Sequence, residues 1–500
     1  MLRLRHLTLN FFLFVSLILF ACGLVLNCKV EAQSDNYILE AEQHWDTFGV
    51  GGTCIPGGHN MAVADIDGDG VKEMITGGFA YYYLPNGSRA SIEAPLKIWS
   101  WDGKNITLEK DHSWTGNIMC VYVGDADGDG KVELITSGSM RNDTGSYPSL
   151  RIWKWDGQML VLKGSYEEKY VGSISVNDVD GDGTPEIIGV TRNYGVETES
   201  VPQLALLRWD GVNLVLRSSM DCCDTKDARA SSVFAYDLNN DGAAEVVTAG
   251  YGNDRKYSVG QLRVWQFNGG GLSLKDSAEW CMIEDVYSVD VAGNVMGNTQ
   301  VGNVKVGDVD GDGVPEIITG GFTYDGTKVQ GQLRIWNWSE GVLNLEKSHE
   351  WVHLDITQIT SISINDVDGD DDKEIVTSGH TAGYGSFGVG AEGKTRAELK
   401  VWSWDGESLT LKQNKDWIVG ESVSVWTIGT EDVDNDGVVE IVTVGCMETI
   451  TRDCDPDLRI WSITTESAAF PYYLVAAVGI VAIAILIIAF LLVKKRRNVS

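Results

Sequence analysis

Basic residues are scarce in this 500-residue chain: 39 lysines and arginines stand against 71 aspartates and glutamates, for a formal charge of −32. No basic stripe suits a phosphate backbone, which argues against nucleic acid as a partner. There is no Cys-x-x-Cys pair for zinc or redox chemistry and no glycine loop of the phosphate-cradling kind. His59, His353 and His380 fall in expected loops without a serine or cysteine partner pattern, so no catalytic set is assigned. His44, His112 and His349 recur at equivalent repeat positions and are read as structural. The expectation is a protein that is not an enzyme.

Cysteine is sparse as well, with nine in the whole chain. Residues 1–32 read as a secretory signal: Arg3 and Arg5, an apolar stretch from Leu7 to Leu26, and a small-residue cleavage site at Val30-Glu31-Ala32. Two alternatives stay open, a lipoprotein-type signal at Leu19-Phe20-Ala21-Cys22 and an uncleaved anchor. Cleavage at Ala32 removes Cys22 and Cys28 and leaves an odd number of cysteines in an oxidising compartment. Cys446 with Cys454 is the first disulfide expected and Cys223 with Cys281 the second. Asn86, Asn105, Asn142 and Asn337 open glycosylation sequons.

Charge is also missing from Leu474 to Val493, a run long enough to span a bilayer core of about 30 Å. Lys494-Lys495-Arg496-Arg497 follows at once, the positive-inside signature of a cytoplasmic tail. The expected organisation is a signal at 1–32, one repeat domain at 37–463, a linker at 464–473, a transmembrane helix at 474–493 and a basic tail at 494–500. The localisation that follows is the cell membrane, single-pass, with the domain outside and the C-terminus in the cytoplasm.

What the chain does have is repetition. An acidic nonapeptide of the form Asp-x-Asp-Gly-Asp-Gly-x-x-Glu begins at Asp65, Asp125, Asp178, Asp237, Asp308, Asp366 and Asp432. These copies hold 29 of the 71 carboxylates, so much of the negative charge belongs to the repeat. In the copy from Ile359, a short alternating strand enters the loop and Glu374–Gly379 leaves it as a β-branched strand. Leu399–Trp404 forms a third strand closed by Asp405-Gly406, and Leu409–Trp417 a fourth. Four antiparallel strands per repeat describe the blade of an all-β propeller, and seven repeats predict seven blades. The last repeat stops after its third strand. Tyr37–Trp45, at the opposite terminus, resembles the fourth strands ending at Trp114 and Trp351. It is predicted to pair with Leu458–Ile463, closing the ring and covering its sheet edges.

The nonapeptide carries metal chemistry. Carboxylates at its first, third and fifth positions converge on one centre, a carbonyl at the seventh adds a ligand and the ninth contributes a further carboxylate. Oxygen-rich, flexible shells of this kind suit calcium at about 2.3–2.6 Å. The predicted ligands at the first position are Asp65, Asp125, Asp178, Asp237, Asp308, Asp366 and Asp432. Those at the third are Asp67, Asp127, Asp180, Asn239, Asp310, Asp368 and Asp434, and at the fifth Asp69, Asp129, Asp182, Asp241, Asp312, Asp370 and Asp436. The carbonyls are those of Val71, Lys131, Thr184, Ala243, Val314, Asp372 and Val438. The ninth positions are Glu73, Glu133, Glu186, Glu245, Glu316, Glu374 and Glu440. Up to seven calcium ions are expected, one per blade. Asn239 and Asn240 lower the charge of one loop. Asp371 replaces the glycine of the turn in the Asp366 loop, which is expected to bind least reliably.

These blades resemble the FG-GAP, or VCBS-type, repeats of integrin α-subunit propellers and many prokaryotic surface proteins, over residues 37–463. The resemblance implies calcium between the first and second strands of a blade, and ligand binding on the opposite face. Departures are plain: only Gly77-Gly78-Phe79 and Gly320-Gly321-Phe322 approach the Phe-Gly string, and the tail lacks Gly-Phe-Phe-Lys-Arg. Integrin leg domains are absent too.

Eleven of the 17 tryptophans lie on third strands and five end fourth strands, leaving only Trp426 outside. Residues that obey the repeat are read as packing between blades. The strand directions bring the chain out on the calcium side, near the membrane. The varied loops point the other way: Phe79–Pro95 with Tyr81-Tyr82-Tyr83, for which an alternating core strand is the other reading, Ser139–Ser149, Thr191–Pro202, His380–Glu398 and Cys281–Asn303. Such loops are where recognition of an extracellular protein or glycan is expected. A propeller enzyme, such as a polysaccharide lyase or quinoprotein, and a passive envelope component are the competing readings.

Overall fold

Each acidic loop runs straight into a strand that starts at its ninth residue and is buried on both sides. Glu374–Ala382 is buried at every position, as are Glu186–Thr191 and Glu73–Gly77. The fourth strands instead alternate, as in Leu214–Asp221, because only one of their faces is covered. Apolar runs inside and alternation outside are what sheets stacked face to face require.

The structure is a computed structural model that describes residues 36–44, 53–54, 59–83, 89–191, 201–223, 228–253, 258–282, 288–289, 295–296, 299–383, 394–420, 422–448 and 454–464. Tyr37–Thr464 forms one compact unit. The expected signal, membrane span, basic tail and, beyond Thr464, linker lie outside the described residues. Among the described residues no helix is long and apolar enough to cross a membrane.

The strands assemble into four-stranded antiparallel sheets, each named here by the first residue of its loop. The Asp178 sheet takes Val171–Asn177, Glu186–Thr191, Gln203–Trp209 and Leu214–Asp221 in order. The Asp237 sheet takes Arg229–Tyr236, Glu245–Asn253, Ser258–Phe267 and Leu272–Trp280. The Asp308 sheet takes Thr299–Gly307, Glu316–Tyr324, Val329–Ser339 and Val342–Trp351. The Asp366 sheet takes Ile356–Asn365, Glu374–Ala382, Arg396–Trp404 and Leu409–Trp417. At the start of the chain one long strand, Ile106–Gly124, serves two sheets. Its first half pairs with Arg89–Trp101 of the Asp65 sheet and its second half with Glu133–Asn142 of the Asp125 sheet. It changes sheets at Gly116, where φ is 150° and a Cβ would lie 2.0 Å from the Ser139 carbonyl oxygen.

The Asp432 sheet has the order expected of a chain that ends one strand short. Asn36–His44 pairs with Cys454–Thr464, which pairs with Glu440–Glu448 and so to Ser422–Glu431. The Tyr37 ring meets Trp461 edge-on at 6.4 Å. Ser462 donates a 2.6 Å hydrogen bond to Glu40, and Arg459 pairs with Glu42 at 3.0 Å. This last sheet also packs on the first: Met61, Met74 and Trp99 share a core with Val442, Val444, Leu458 and Ile460. Successive first strands are tied by side chains. Ser173 and Ser175 accept from Val233 N and Ala235 N, and Ser361 accepts from Ile428 N. The arrangement is a β-propeller.

One polar pair recurs inside the sheets. The first tryptophan of the third strand donates its indole N–H to a threonine of the second: Trp99 to Thr76, Trp153 to Thr136, Trp265 to Thr248, Trp336 to Thr319, Trp402 to Thr377 and Trp461 to Thr443, all at 2.9–3.1 Å. In the Asp178 sheet both partners are gone together, with Leu207 at the tryptophan place and Gly189 at the threonine place. A tryptophan ending the fourth strand then stacks on the next sheet's indole, with ring centroids at 5.8 Å for Trp114–Trp153, 5.1 Å for Trp280–Trp336, 5.0 Å for Trp351–Trp402 and 4.8 Å for Trp417–Trp461. Arg151, Arg334 and Arg459 lie over both rings of their pair, a cation–π contact added to the stack. The tryptophans are packing residues, as their spacing implied.

Several expectations need correction. His380 lies on the strand Glu374–Ala382, buried against Trp426 at 5.7 Å, because that strand runs further than its β-branched core. Of the two readings of Tyr81–Tyr83, the strand holds: Phe79–Tyr83 pairs with Thr53–Cys54 on one side and Arg89–Trp101 on the other. Cys223 and Cys281 are thiols and not a bridge, since equivalent places in adjacent sheets stand a whole blade apart. Cys446 is disulfide-bonded, and the side chain of Cys454 is outside those described.

Thr319→Val should leave the Trp336 indole N–H buried without an acceptor and lower stability by about 1–3 kcal/mol in urea unfolding. A change below about 0.5 kcal/mol would show that the pair contributes nothing net.

Candidate metal centres

The acidic loops depend on left-handed backbone at their fourth and sixth positions. Gly68 and Gly70 have φ of 80° and 95°, and Gly311 and Gly313 of 75° and 87°. Where glycine is absent the conformation persists, at Asn240 (58°), Asn435 (63°) and Asp371 (72°). Asparagine adopts it readily. Asp371 sits at the sixth position, the strained place identified from the sequence.

The Asp308 loop shows how the carboxylates shape the turn. Asp308 accepts from Gly311 N at 2.8 Å and from Gly313 N at 3.0 Å. Asp310 accepts from Asp312 N, and Asp312 from Val314 N. Glu316, 2% exposed, accepts from Val309 N at 3.0 Å through Oε2. The same bond from ninth to second residue appears as Glu73 to Ile66 N, Glu133 to Ala126 N, Glu186 to Val179 N, Glu245 to Leu238 N, Glu374 to Val367 N and Glu440 to Val433 N. Each glutamate thus begins the buried second strand and also pins the loop.

One oxygen from each of Asp308, Asp310 and Glu316 lies within 4.8 Å of the others, and the same holds for Asp65, Asp67 and Glu73. The Asp125, Asp178 and Asp366 loops bring together the same three positions. The fifth-position side chains, such as Asp69 and Asp312, are exposed and do not join these groups. Three hard oxygen donors with open solvent beside them fit calcium or magnesium better than a softer metal. Four third-position aspartates, Asp67, Asp127, Asp310 and Asp434, also abut the Asp-Gly turn of another sheet: a Cβ on Gly157 would lie 2.8 Å from Asp67 Oδ2, and one on Gly103 2.7 Å from Asp434 Oδ2.

The loops differ in what faces the glutamate. Lys154 Nζ stands 2.8 Å from Glu133 and 3.2 Å from Asp129. Arg217 bridges Asp180 at 2.7 Å and Glu186 at 2.8 Å, while Arg208 holds Asp182. Lys412 Nζ lies 2.8 Å from Asp368, 3.0 Å from Asp370 and 2.7 Å from Glu374. Burial works against the Lys412 ammonium, yet its hydrogen bonds to Asp368, Glu374 and Asp370 raise it overall. In the Asp237 loop the Asn239 amide and Gln266 both donate to Glu245, at 2.8 and 3.2 Å. The Asn239 oxygen accepts from Asp241 N, as Asp67 and Asp310 accept from Asp69 N and Asp312 N in their loops.

Glu73, Glu316 and Glu440 have no such partner. Among the described residues no lysine or arginine pairs with them or with the aspartates of their loops, and nothing donates to their Oε1 atoms. Burial, only partly offset by the backbone N–H, pushes Glu73 and Glu440 up to about 7 and Glu316 to about 8, and it pushes Glu374 to about 7 as well despite the hydrogen bond from Lys412. The residues that sequence reading missed are the basic ones, which come from third and fourth strands well away in the chain.

No protein-family model matches the chain, and no curated protein matches it. Two solved structures show a faint likeness. "Structure of Dos1 propeller" aligns at a TM-score of 0.40 and 10% identity, over 85% of this chain and 95% of that one. The crystal structure of Sqt1 from Chaetomium thermophilum aligns at a TM-score of 0.42 and 10% identity, over 85% of this chain and 100% of that one. The propeller assignment stands on the sheet order and closing contacts described above.

A glutamate whose folded pKa is raised keeps its proton while the unfolded chain has already lost it. Between about pH 4.5 and pH 8 the metal-free folded chain therefore binds more protons, and its stability falls as pH rises. Melting temperatures in chelator should be higher at pH 5 than at pH 8, and saturating calcium, which favours the ionised carboxylates, should flatten or reverse that slope. A metal-free melting temperature that rises from pH 5 to pH 8 would contradict the assignment.

Proposed function

We propose that this chain is a membrane-anchored, extracellular, seven-bladed propeller of the FG-GAP or VCBS repeat type, stabilised by calcium, that binds a protein or glycan ligand. Seven acidic loops, each heading a four-stranded antiparallel sheet, support the blade count. Hard-oxygen constellations at the first, third and ninth positions support calcium as a structural ion that rigidifies the loops and takes no part in chemistry. Leu474–Val493 with its basic flank, and the amino-terminal signal pattern, support the anchor and the extracellular placement.

The observation that carries the binding reading is where the extra structure sits. Beyond the regular strands, Thr53–Cys54 pairs with Phe79–Tyr83, Ser288–Val289 pairs with Val295–Met296, and the hairpin of Glu133–Asn142 with Gly145–Trp155 extends to Asn142↔Gly145. All of these lie at the ends of the sheets opposite the acidic loops. Additions confined to one side of a rigid scaffold form a recognition surface. The last strand ends at Thr464 on the acidic-loop side, away from the decorated ends of the sheets. A catalytic role would need a polar constellation at that mouth; His380 is buried against Trp426 and pushed down to about 4 by burial.

Chelation of the full-length chain with EGTA should lower the melting temperature, since each calcium held at 100-fold over its Kd contributes about 2.7 kcal/mol. A glycan array and a surface-protein pull-down should yield a ligand whose capture is weakened by substitutions at Tyr81–Tyr83 and unaffected by substitutions at exposed acidic-loop residues such as Val438. An unchanged melting transition in EGTA would remove calcium from the account.

A further inference from the structure

Six of the fourth strands carry a one-residue bulge opposite the first tryptophan position of the third strand, and in two sheets the bulge residue reaches into the acidic loop. Register places Glu109 at the bulge between Leu108 and Lys110, because Trp99 pairs with Leu108 and Ile98 with Lys110. By the same register Arg217, Lys275, Glu346 and Lys412 occupy it in their sheets, and Lys163 in the Asp125 sheet. Glu40 is the equivalent residue of the closing strand, five positions before Trp45 as Glu109 is five before Trp114. A bulge puts two residues against one and re-aims a side chain. At Arg217 and Lys412 that side chain reaches the loop carboxylates directly.

The sign of the bulge residue tracks the rest of the site. Where it is Glu40, Glu109 or Glu346, no protein cation enters the loop, and the ninth-position glutamate is at most 4% exposed with Oε1 lacking any donor. Glu109 adds to the negative field on Glu73, and Glu346 does the same to Glu316. Where the bulge residue is basic, the glutamate already has partners: Lys154, Arg217 with Arg208, Lys412, or the amides of Asn239 and Gln266. The ammonium of Lys412 touches the first-strand loop at its third, fifth and ninth positions, the place a bound cation would occupy.

We propose that the bulge residue divides the acidic loops into two kinds: those of Asp65, Asp308 and Asp432 take a divalent cation, and the other four are closed by the protein's own side chains. This rests on the calcium reading above and narrows it from seven ions to three. The open loops share a ninth-position glutamate whose Oε1 receives no protein donor, an extra carboxylate on the neighbouring strand and no competing ammonium. A buried carboxylate without compensation is costly. Each closed loop meets that need internally, by an organic cation or by two amide donors. The blades thus use two interchangeable means of neutralising one buried group.

The test is a calcium titration of the purified full-length chain by calorimetry, with terbium luminescence as a second readout of occupancy. Wild type should bind three equivalents. Glu346→Lys should close the Asp308 loop and leave two. Lys412→Glu should open the Asp366 loop and give a fourth, and the melting temperature of this variant should depend more on calcium than that of wild type. Should Lys412→Glu fail to fold, Glu346→Lys carries the test alone, because it only installs the residue its sister blade already has. Seven equivalents in wild type, or a count that Glu346→Lys leaves at three, would overturn the division while leaving calcium stabilisation intact. A chain that binds no calcium would overturn the calcium reading and this inference with it.

Discussion

A glutamate buried beneath two aspartates needs a positive charge or hydrogen-bond donors, and most of this molecule's regularity follows from how that need is met. The ninth residue of each acidic loop is the first of a strand covered on both faces, so its carboxylate is largely withdrawn from water. One oxygen ties down the backbone of the second loop residue. The other must be satisfied by a lysine, an arginine, a pair of amides or an ion from outside. In four of the loops the third-position aspartate also abuts the Asp-Gly turn of another sheet, so the carboxylates stand at the contact between neighbours.

The packing between sheets follows an equally local rule. A tryptophan on the third strand is held by a threonine on the second, then covered by a tryptophan from the preceding sheet with an arginine laid across both. Offset and tilted aromatic pairs are each worth about 0.5–1.5 kcal/mol beyond burial of their area. The Asp178 sheet shows that threonine and tryptophan belong together: without the indole at Leu207 the hydroxyl is also missing, and Gly189 lets Val171 close in. The ring ends as it runs, since the amino-terminal strand supplies the missing outer strand and places Tyr37 against Trp461.

Much of the fold was legible in the sequence because its signals are short-range. Alternation, β-branched runs and turn residues marked the strands to within a few positions, and one tryptophan motif without a fourth strand pointed to Tyr37–Trp45. The three ligand positions that converge were legible too, since they lie within nine residues of one another. The cations were not. Lys412 reaches Asp368 from 44 positions away, and the Asp125 sheet offers basic residues at both Lys154 and Lys163, of which only the three-dimensional contact shows that the first enters the loop. Identical-looking nonapeptides therefore hid two kinds of site. Likewise Tyr81–Tyr83 alternated too briefly to separate a strand from a loop, and Cys223 and Cys281 occupied matching positions without being neighbours.

The most direct measurement is anomalous diffraction from crystals of the calcium-loaded chain, collected at long wavelength where calcium scatters anomalously and nitrogen does not. The account predicts peaks beside Glu73, Glu316 and Glu440, and none beside Glu133, Glu186, Glu245 or Glu374. A peak beside Glu374, with Lys412 displaced from it, would contradict the claim that the protein's own cations close those loops.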